Sequence, residues 1–146
     1  MFGSIVVGTD GSDTATQAVR QAIELARALG GRIELVSAYE PVSDARLRES
    51  IDVPEDLQWI VNPREDVEAT LEAAASEVRA AGVEVEVFAR QGDPADAILD
   101  VAEERGSDLI VLGNKGMTGA KRFLLGSVPN KVSHHAPCSV LIIRTV

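Results

Sequence analysis

Apolar positions along this chain switch repeatedly between two periods. Residues 4–9, SIVVGT, form a short β-branched run suited to a buried parallel strand. Asp10 and Gly11 break it, and Ser12 or Asp13 can cap a helix. From residue 14 to 29, Ala15, Ala18, Val19, Ala22, Ile23, Ala26 and Leu29 recur at helical spacing, and Gly30-Gly31 ends the pattern. RIELVSAY (32–39) predicts a second strand. Residues 41–64 hold Pro41, Pro54 and Pro63 and no clear period, which suggests a short helix or a cover over a site. An alanine- and glutamate-rich helix is expected over 64–81, before Gly82. VEVEVFAR (83–90) alternates apolar and polar residues, as a strand near a sheet edge does. Asp93-Pro94 is a helix start with a capping carboxylate, and that helix runs to about residue 105. DLIVLG (108–113), a helix over 127–135 and SVLIIRT (139–145) complete the series.

Strands separated by helices pair in parallel through right-handed crossovers. The expected fold is a doubly wound, five-stranded parallel α/β sheet with helices on both faces, in one domain over 1–146. Such sheets bind ligands at the carboxyl ends of their strands, where the strand order reverses. If the first and fourth strands are neighbours there, the loops after Gly8 and Leu112 face one crevice.

Composition narrows the class. The chain has 146 residues, 45% hydrophobic and 25% charged, which suits one domain with a full core. No apolar run reaches the ~18 residues that span a bilayer. The first residues show neither a basic flank nor a signal-peptide pattern. The single cysteine, Cys138, reads as a small buried filler before the last strand. A cytoplasmic protein without membrane insertion is the expectation.

The net charge of −9 argues against nucleic acid as a partner. Its distribution says more. All 23 acids and nine of the 14 bases precede Leu109; beyond it stand Lys115, Lys121, Arg122, Lys131 and Arg144. A cationic stretch in an acidic chain suggests a small anion held locally, against the plainer reading of a solvated basic face.

That stretch contains GNKGMTGAKRFLLGS. Gly113, Gly116 and Gly126 let backbone N–H groups approach phosphate oxygens and tolerate the positive φ that N–H nests use. Gly126-Ser127 opens the last helix, where uncapped N–H groups and the dipole favour an anion. Ser127 adds a hydroxyl, and Val128 beside it is counted with the nucleotide contacts. GxxxxGK[ST] is absent. So is GxGxxG after the first strand, where GTDGSD stands instead. Each glycine alone is more readily a turn residue; the ordered set in one acid-free loop reverses that.

The spacing G-x2-G-x9-G-[ST] is similar to the ATP-binding signature of the universal stress protein family. VVGTDGS, GDPADAILDVAEERGSDLIVLGNKG and LLGSVPNKVSHHAPCSVLII extend the resemblance over the whole chain. The resemblance implies a Rossmann-like nucleotide-binding fold in a regulatory or stress-response protein. Gly8, Asp10 and Ala38 would line the adenine and ribose pocket, and the glycine loop and Ser127 would take the phosphates. ATP, with or without Mg²⁺, is the nucleotide it favours. The family often carries His or Arg where Asn114-Lys115 stand, and LLGSVPNKVS resembles the subgroup that binds cyclic AMP, so cyclic AMP or AMP are the alternatives. It also implies a homodimer joined through the last strand. The protein partner is not named by the sequence.

Asp10 also stands on its position. A carboxylate at the end of a central strand can accept from a ribose hydroxyl or an adenine amine; the plain alternative is an Asx turn. His134-His135 point to different sides of a helix and suit its C-terminus better than a metal. Tyr39 reads as packing, Trp59 as core or lid, and Glu65, Asp66, Glu68 and Glu72 as a solvated face. No nucleophile elbow or Ser/His/Asp arrangement is present, so the expectation is a binding protein, with a slow ATPase as the competing class.

Overall fold

The computed structural model describes residues 2–40, 63–114 and 126–145. The elements run β1 (Ser4–Gly8), α1 (Asp13–Leu29), β2 (Arg32–Tyr39), α2 (Pro63–Ala80), β3 (Val85–Gln91), α3 (Pro94–Glu104), β4 (Leu109–Gly113), α4 (Ser127–His135) and β5 (Ser139–Ile143). All pairings are parallel and the order is β3-β2-β1-β4-β5. The chain therefore winds outward from β1 in one direction, returns to its other side at β4, and ends at β5. β1 and β4 are neighbours, with Val7 opposite Val111, so the switch point lies where the sequence placed its two unusual loops.

Side chains of successive strand residues point to opposite faces, and both faces are covered. Ile5, Val7, Ile33, Leu35, Leu109 and Val111 pack with α1 and α2. Val6, Val36, Ile110 and Leu112 pack with Ile98, Val101, Val128 and Val132 of α3 and α4. This explains why the central strands read as continuous apolar runs while β3, an edge strand, alternates. β3 begins two residues later than its pattern suggests, at Val85, and β1 stops one residue early, at Gly8.

One feature of β2 breaks the apolar run. Glu34 is wholly buried. Its carboxylate accepts from Arg32 Nε at 2.8 Å, and Ser4 Oγ lies 3.0 and 3.1 Å from its two oxygens. Ser107 Oγ is 3.1 Å from the same hydroxyl. A buried carboxylate is tolerated only when its lone pairs are met, and here Ser4 of β1 and Arg32 of β2 meet them, with Ser107 bonded to the Ser4 hydroxyl. The same carboxylate holds the Arg32 guanidinium above its ordinary value.

Candidate functional site

The candidate crevice lies over the carboxyl ends of β1, β2 and β4. The chain leaves β1 through buried Thr9, whose N–H donates to Val36 O at 2.9 Å and whose Oγ1 accepts from Gly11 N at 3.2 Å. Gly11 has φ +82°, a conformation that suits glycine. Asp10 is exposed, and its Oδ1 accepts from Ser12 N at 2.9 Å. The Asx turn is therefore present. It uses one carboxylate oxygen at the mouth of the crevice. Ser12 then caps α1, its Oγ accepting from Ala15 N at 3.3 Å.

Gly8 is buried beneath this turn. A Cβ built on it would stand 2.6 Å from Ile98 Cδ1 and 2.9 Å from Leu112 Cδ2. Its missing side chain makes room for α3. Ala38, half-buried near the end of β2, closes the third side.

On the β4 side, Gly113 ends the strand. A Cβ there would meet Thr145 Cγ2 at 3.4 Å and Thr14 O at 3.5 Å. The start of α1 thus flanks the end of β4, which brings the two loops together. These are ordinary contacts, and neither Gly113 nor Gly126 has positive φ. The positive φ expected of those two glycines is corrected: both sit in conformations open to any residue.

Asn114 follows Gly113 and is held through its main chain and its side-chain oxygen. Its N–H donates to Ile143 O, its carbonyl accepts from Gly126 N, and its Oδ1 lies 2.9 Å from both the N–H and Oγ1 of Thr145. The Gly126 contact sets the N-terminus of α4 beside the end of β4. Gly126 is the cap residue and supplies no side-chain acceptor to the first turn. Ser127 is exposed; Val128 is buried in the α3–α4 core, so only its main chain faces the crevice side of the helix start. Gly116, Lys115, Lys121 and Arg122 lie outside the described residues, as does Trp59.

Lys131 is a correction. Its Nζ sits 2.9 Å from Asp96 Oδ1 and 3.3 Å from Asp93 Oδ2. These carboxylates, Asp96 first, hold the ammonium above its ordinary value. The residue joins α4 to the start of α3. Tyr39 is another. Beyond packing, its hydroxyl accepts from Arg64 Nη1 at 3.1 Å, with the guanidinium 5.8 Å from the ring centre. Cys138 is half-buried against the α3–α4 core, and burial pushes its thiol up. His134 and His135 stand exposed in the last turn of α4. Among the described residues no three His, Cys, Asp or Glu side chains gather as a metal site, and no helix is long and apolar enough to cross a membrane.

Sequence reasoning passed over Thr9 and Thr145. Both are small hydroxyl residues one or two positions beyond a strand, and only the tertiary contacts give them meaning.

The chain is similar to known proteins along its whole length. A family profile described as the universal stress protein family matches residues 1–144. Universal stress protein Rv1636 of Mycobacterium tuberculosis is 37% identical over 146 residues, 99% of this chain and 97% of that protein. Universal stress protein YxiE of Bacillus subtilis is 35% identical over 150 residues, 99% of this chain and all of that one. A universal stress protein crystallised in complex with cAMP superposes with a TM-score of 0.73 at 35% identity, covering 98% of this chain and 97% of the other. With the strand order, the Asn114–Gly126 contact and the β1 turn in place, the chain belongs to the universal stress protein family.

Proposed function

We propose that this protein binds an adenine nucleotide across the carboxyl ends of β1 and β4, and acts as a cytoplasmic regulatory protein of the stress response rather than as an enzyme. The observation that carries the reading is the adjacency of β1 and β4, with the start of α4 held beside them by the Gly126–Asn114 contact. The residues suit the phosphate end of such a ligand. The cap position of α4 offers no side-chain oxygen to compete for its first N–H groups, and a helix start favours an anion. Gly113, Gly116, Gly126 and Ser127 would hold the phosphates. Asp10 keeps one carboxylate oxygen beyond its turn for a ribose hydroxyl, and Ala38 would border the base.

ATP is the nucleotide that the complete G-x2-G-x9-G-S spacing supports. Cyclic AMP is the second reading, favoured by the 35% identical relative crystallised with cAMP. A slow ATPase would need a base to position water. Asp10 is the one candidate, and its Oδ1 already accepts from Ser12.

The test is to identify by mass any nucleotide released from freshly purified protein, and to run thermal shifts with ATP, AMP and cyclic AMP. Stabilisation by at least one supports the reading. No shift with any of them, and no co-purifying nucleotide, overturns it. Phosphate release measured on the same sample decides between binding and hydrolysis.

A further inference from the structure

Asn114 carries more hydrogen bonds than a loop residue needs, and they leave one group over. Its main-chain N–H and carbonyl are both used, by Ile143 O and Gly126 N. Its side-chain oxygen faces the N–H and the hydroxyl of Thr145, each at 2.9 Å. A main-chain N–H can only donate, so the amide atom facing it must be the oxygen, and the Nδ2 amino group is turned away from Thr145. Nδ2 has no hydrogen-bond partner among the described residues. The side chain is half-buried and stands between the end of β4 and the cap of α4.

We propose that Asn114 contacts the phosphate end of the nucleotide through Nδ2, and that Thr145, in the tail beyond β5, is the positioning residue that aims it. The inference rests on the nucleotide reading above. An amide fixed by two hydrogen bonds has already lost the rotamer freedom that binding would otherwise remove. A neutral donor can also read a phosphate oxygen without adding charge, so its effect does not depend on salt as a lysine's does. The tail after the last strand thereby becomes part of the site.

Asn114→Asp separates a ligand role from a structural one. A carboxylate oxygen accepts from both Thr145 groups as the amide oxygen does, so the latch survives. The donor becomes a charged acceptor beside a phosphate. The melting temperature should stay near that of the wild type while affinity falls about tenfold or more. Thr145→Val keeps the main-chain hydrogen bond and drops the hydroxyl; affinity should fall a few-fold, and Thr145→Ser should restore it. In the wild type, nitrogen-15 NMR should show the Asn114 side-chain NH₂ signals moving as ATP, or cyclic AMP, saturates the protein. Wild-type affinity in a folded Asn114→Asp protein, or NH₂ signals that do not move while calorimetry records binding, overturns the inference and leaves the nucleotide reading standing. If calorimetry finds no binding of either nucleotide to the wild type, both fall together.

Discussion

The main-chain N–H of Gly126 donates to the carbonyl oxygen of Asn114 over 2.9 Å. The two residues bracket positions 115–125, so the strand that ends at Gly113 and the helix that begins at Ser127 are joined directly by this hydrogen bond. The fold and the loop's chemistry are separable on this account. Replacing 115–125 with a Gly/Ser linker of about four residues should change stability by no more than about 1 kcal/mol, because closure entropy varies slowly with length. Nucleotide binding should be lost. A folded variant that binds like the wild type would remove the phosphates from this loop.

Gly8 and Gly113 should behave differently despite their shared place in the crevice. A methyl group on Gly8 meets Ile98 Cδ1 at 2.6 Å inside the core, so Gly8→Ala should cost about 1–3 kcal/mol. Adding Ile98→Val removes the offending methyl, and the double variant should be more stable than the sum of the single effects predicts. Gly113→Ala meets only ordinary contacts and should fold normally. Denaturant melts of the wild type and these variants, Ile98→Val alone included, check this; additive effects for Gly8 and Ile98 would mean that the glycine serves something other than helix packing.

Much of this was legible in the sequence because the relevant physics is local. The bounds of β2 and α4 follow from periodicity, glycine stops and the proline near the start of α4, and they agree with the structure. Strand order is not local, and the adjacency of β1 and β4 could be stated only as a condition. The same limit explains what the sequence left hidden. Lys131 looked like one of five cations in an acid-free stretch, but its partners Asp93 and Asp96 lie far back in the chain. The resemblance alone gives Gly8 a place in the nucleotide pocket; that its missing side chain also makes room for Ile98 of α3 depends on a residue far along the chain. Glu34 passed as a strand residue; its only signal was a charge inside an apolar run, and Ser4, Arg32 and Ser107 supply what makes it tolerable.

Asp93 gives the fold a pH dependence of known sign. Its carboxylate accepts from Asp96 N at 3.0 Å as the cap of α3, and Lys131 stands beside it. The Asp96 N–H first, and then Lys131, hold it below its ordinary value of 3.8. A group depressed in the folded state contributes stability that is complete above its unfolded value and drains away as the pH falls through the folded one. The loss should therefore appear below about pH 4. Asp93→Asn keeps a good cap without the charge, so it should fold well and flatten that part of the stability curve. Asp93→Ala should cost about 0.5–2 kcal/mol at neutral pH. Urea melts between neutral and acid pH distinguish the three; an Asp93→Asn curve parallel to the wild type's would show that the carboxylate's charge contributes nothing.

The two sheet edges are built differently. On β3, Arg90 and Arg105 flank the Phe88 ring and pair with Glu104 and Glu86, so charge guards that edge. On β5, Val140, Ile142 and Ile143 are half-buried and Leu141 is 39% exposed, with no charge within the strand. We expect β5 to pair with that of a second copy. Light scattering should give a dimer for the wild type at micromolar concentration and a monomer for Leu141→Lys, with little loss of intrinsic stability because the side chain is already exposed. A monomeric wild type would refute the pairing.

The choice between ATP and cyclic AMP turns on how many cations reach the ligand. A triphosphate carries several negative charges and needs donors along its length; a cyclic monophosphate carries one and needs a compact nest. Lys131 is committed to Asp93 and Asp96, and the loop itself carries Lys115, Lys121 and Arg122. Each is worth about 0–1 kcal/mol if solvent-exposed, or up to about fivefold in affinity. If ATP is the ligand, its affinity should fall steeply between low and high salt, and replacing the three cations together with alanine should flatten that slope. Cyclic AMP should show a shallow slope and little response to the triple variant. Calorimetry with both nucleotides, at two salt concentrations and with and without Mg²⁺, reads these outcomes in one series. Tighter binding of cyclic AMP with a shallow slope would reject ATP while keeping the crevice, since the contacts expected of Asp10, Asn114 and the start of α4 do not depend on the length of the phosphate chain.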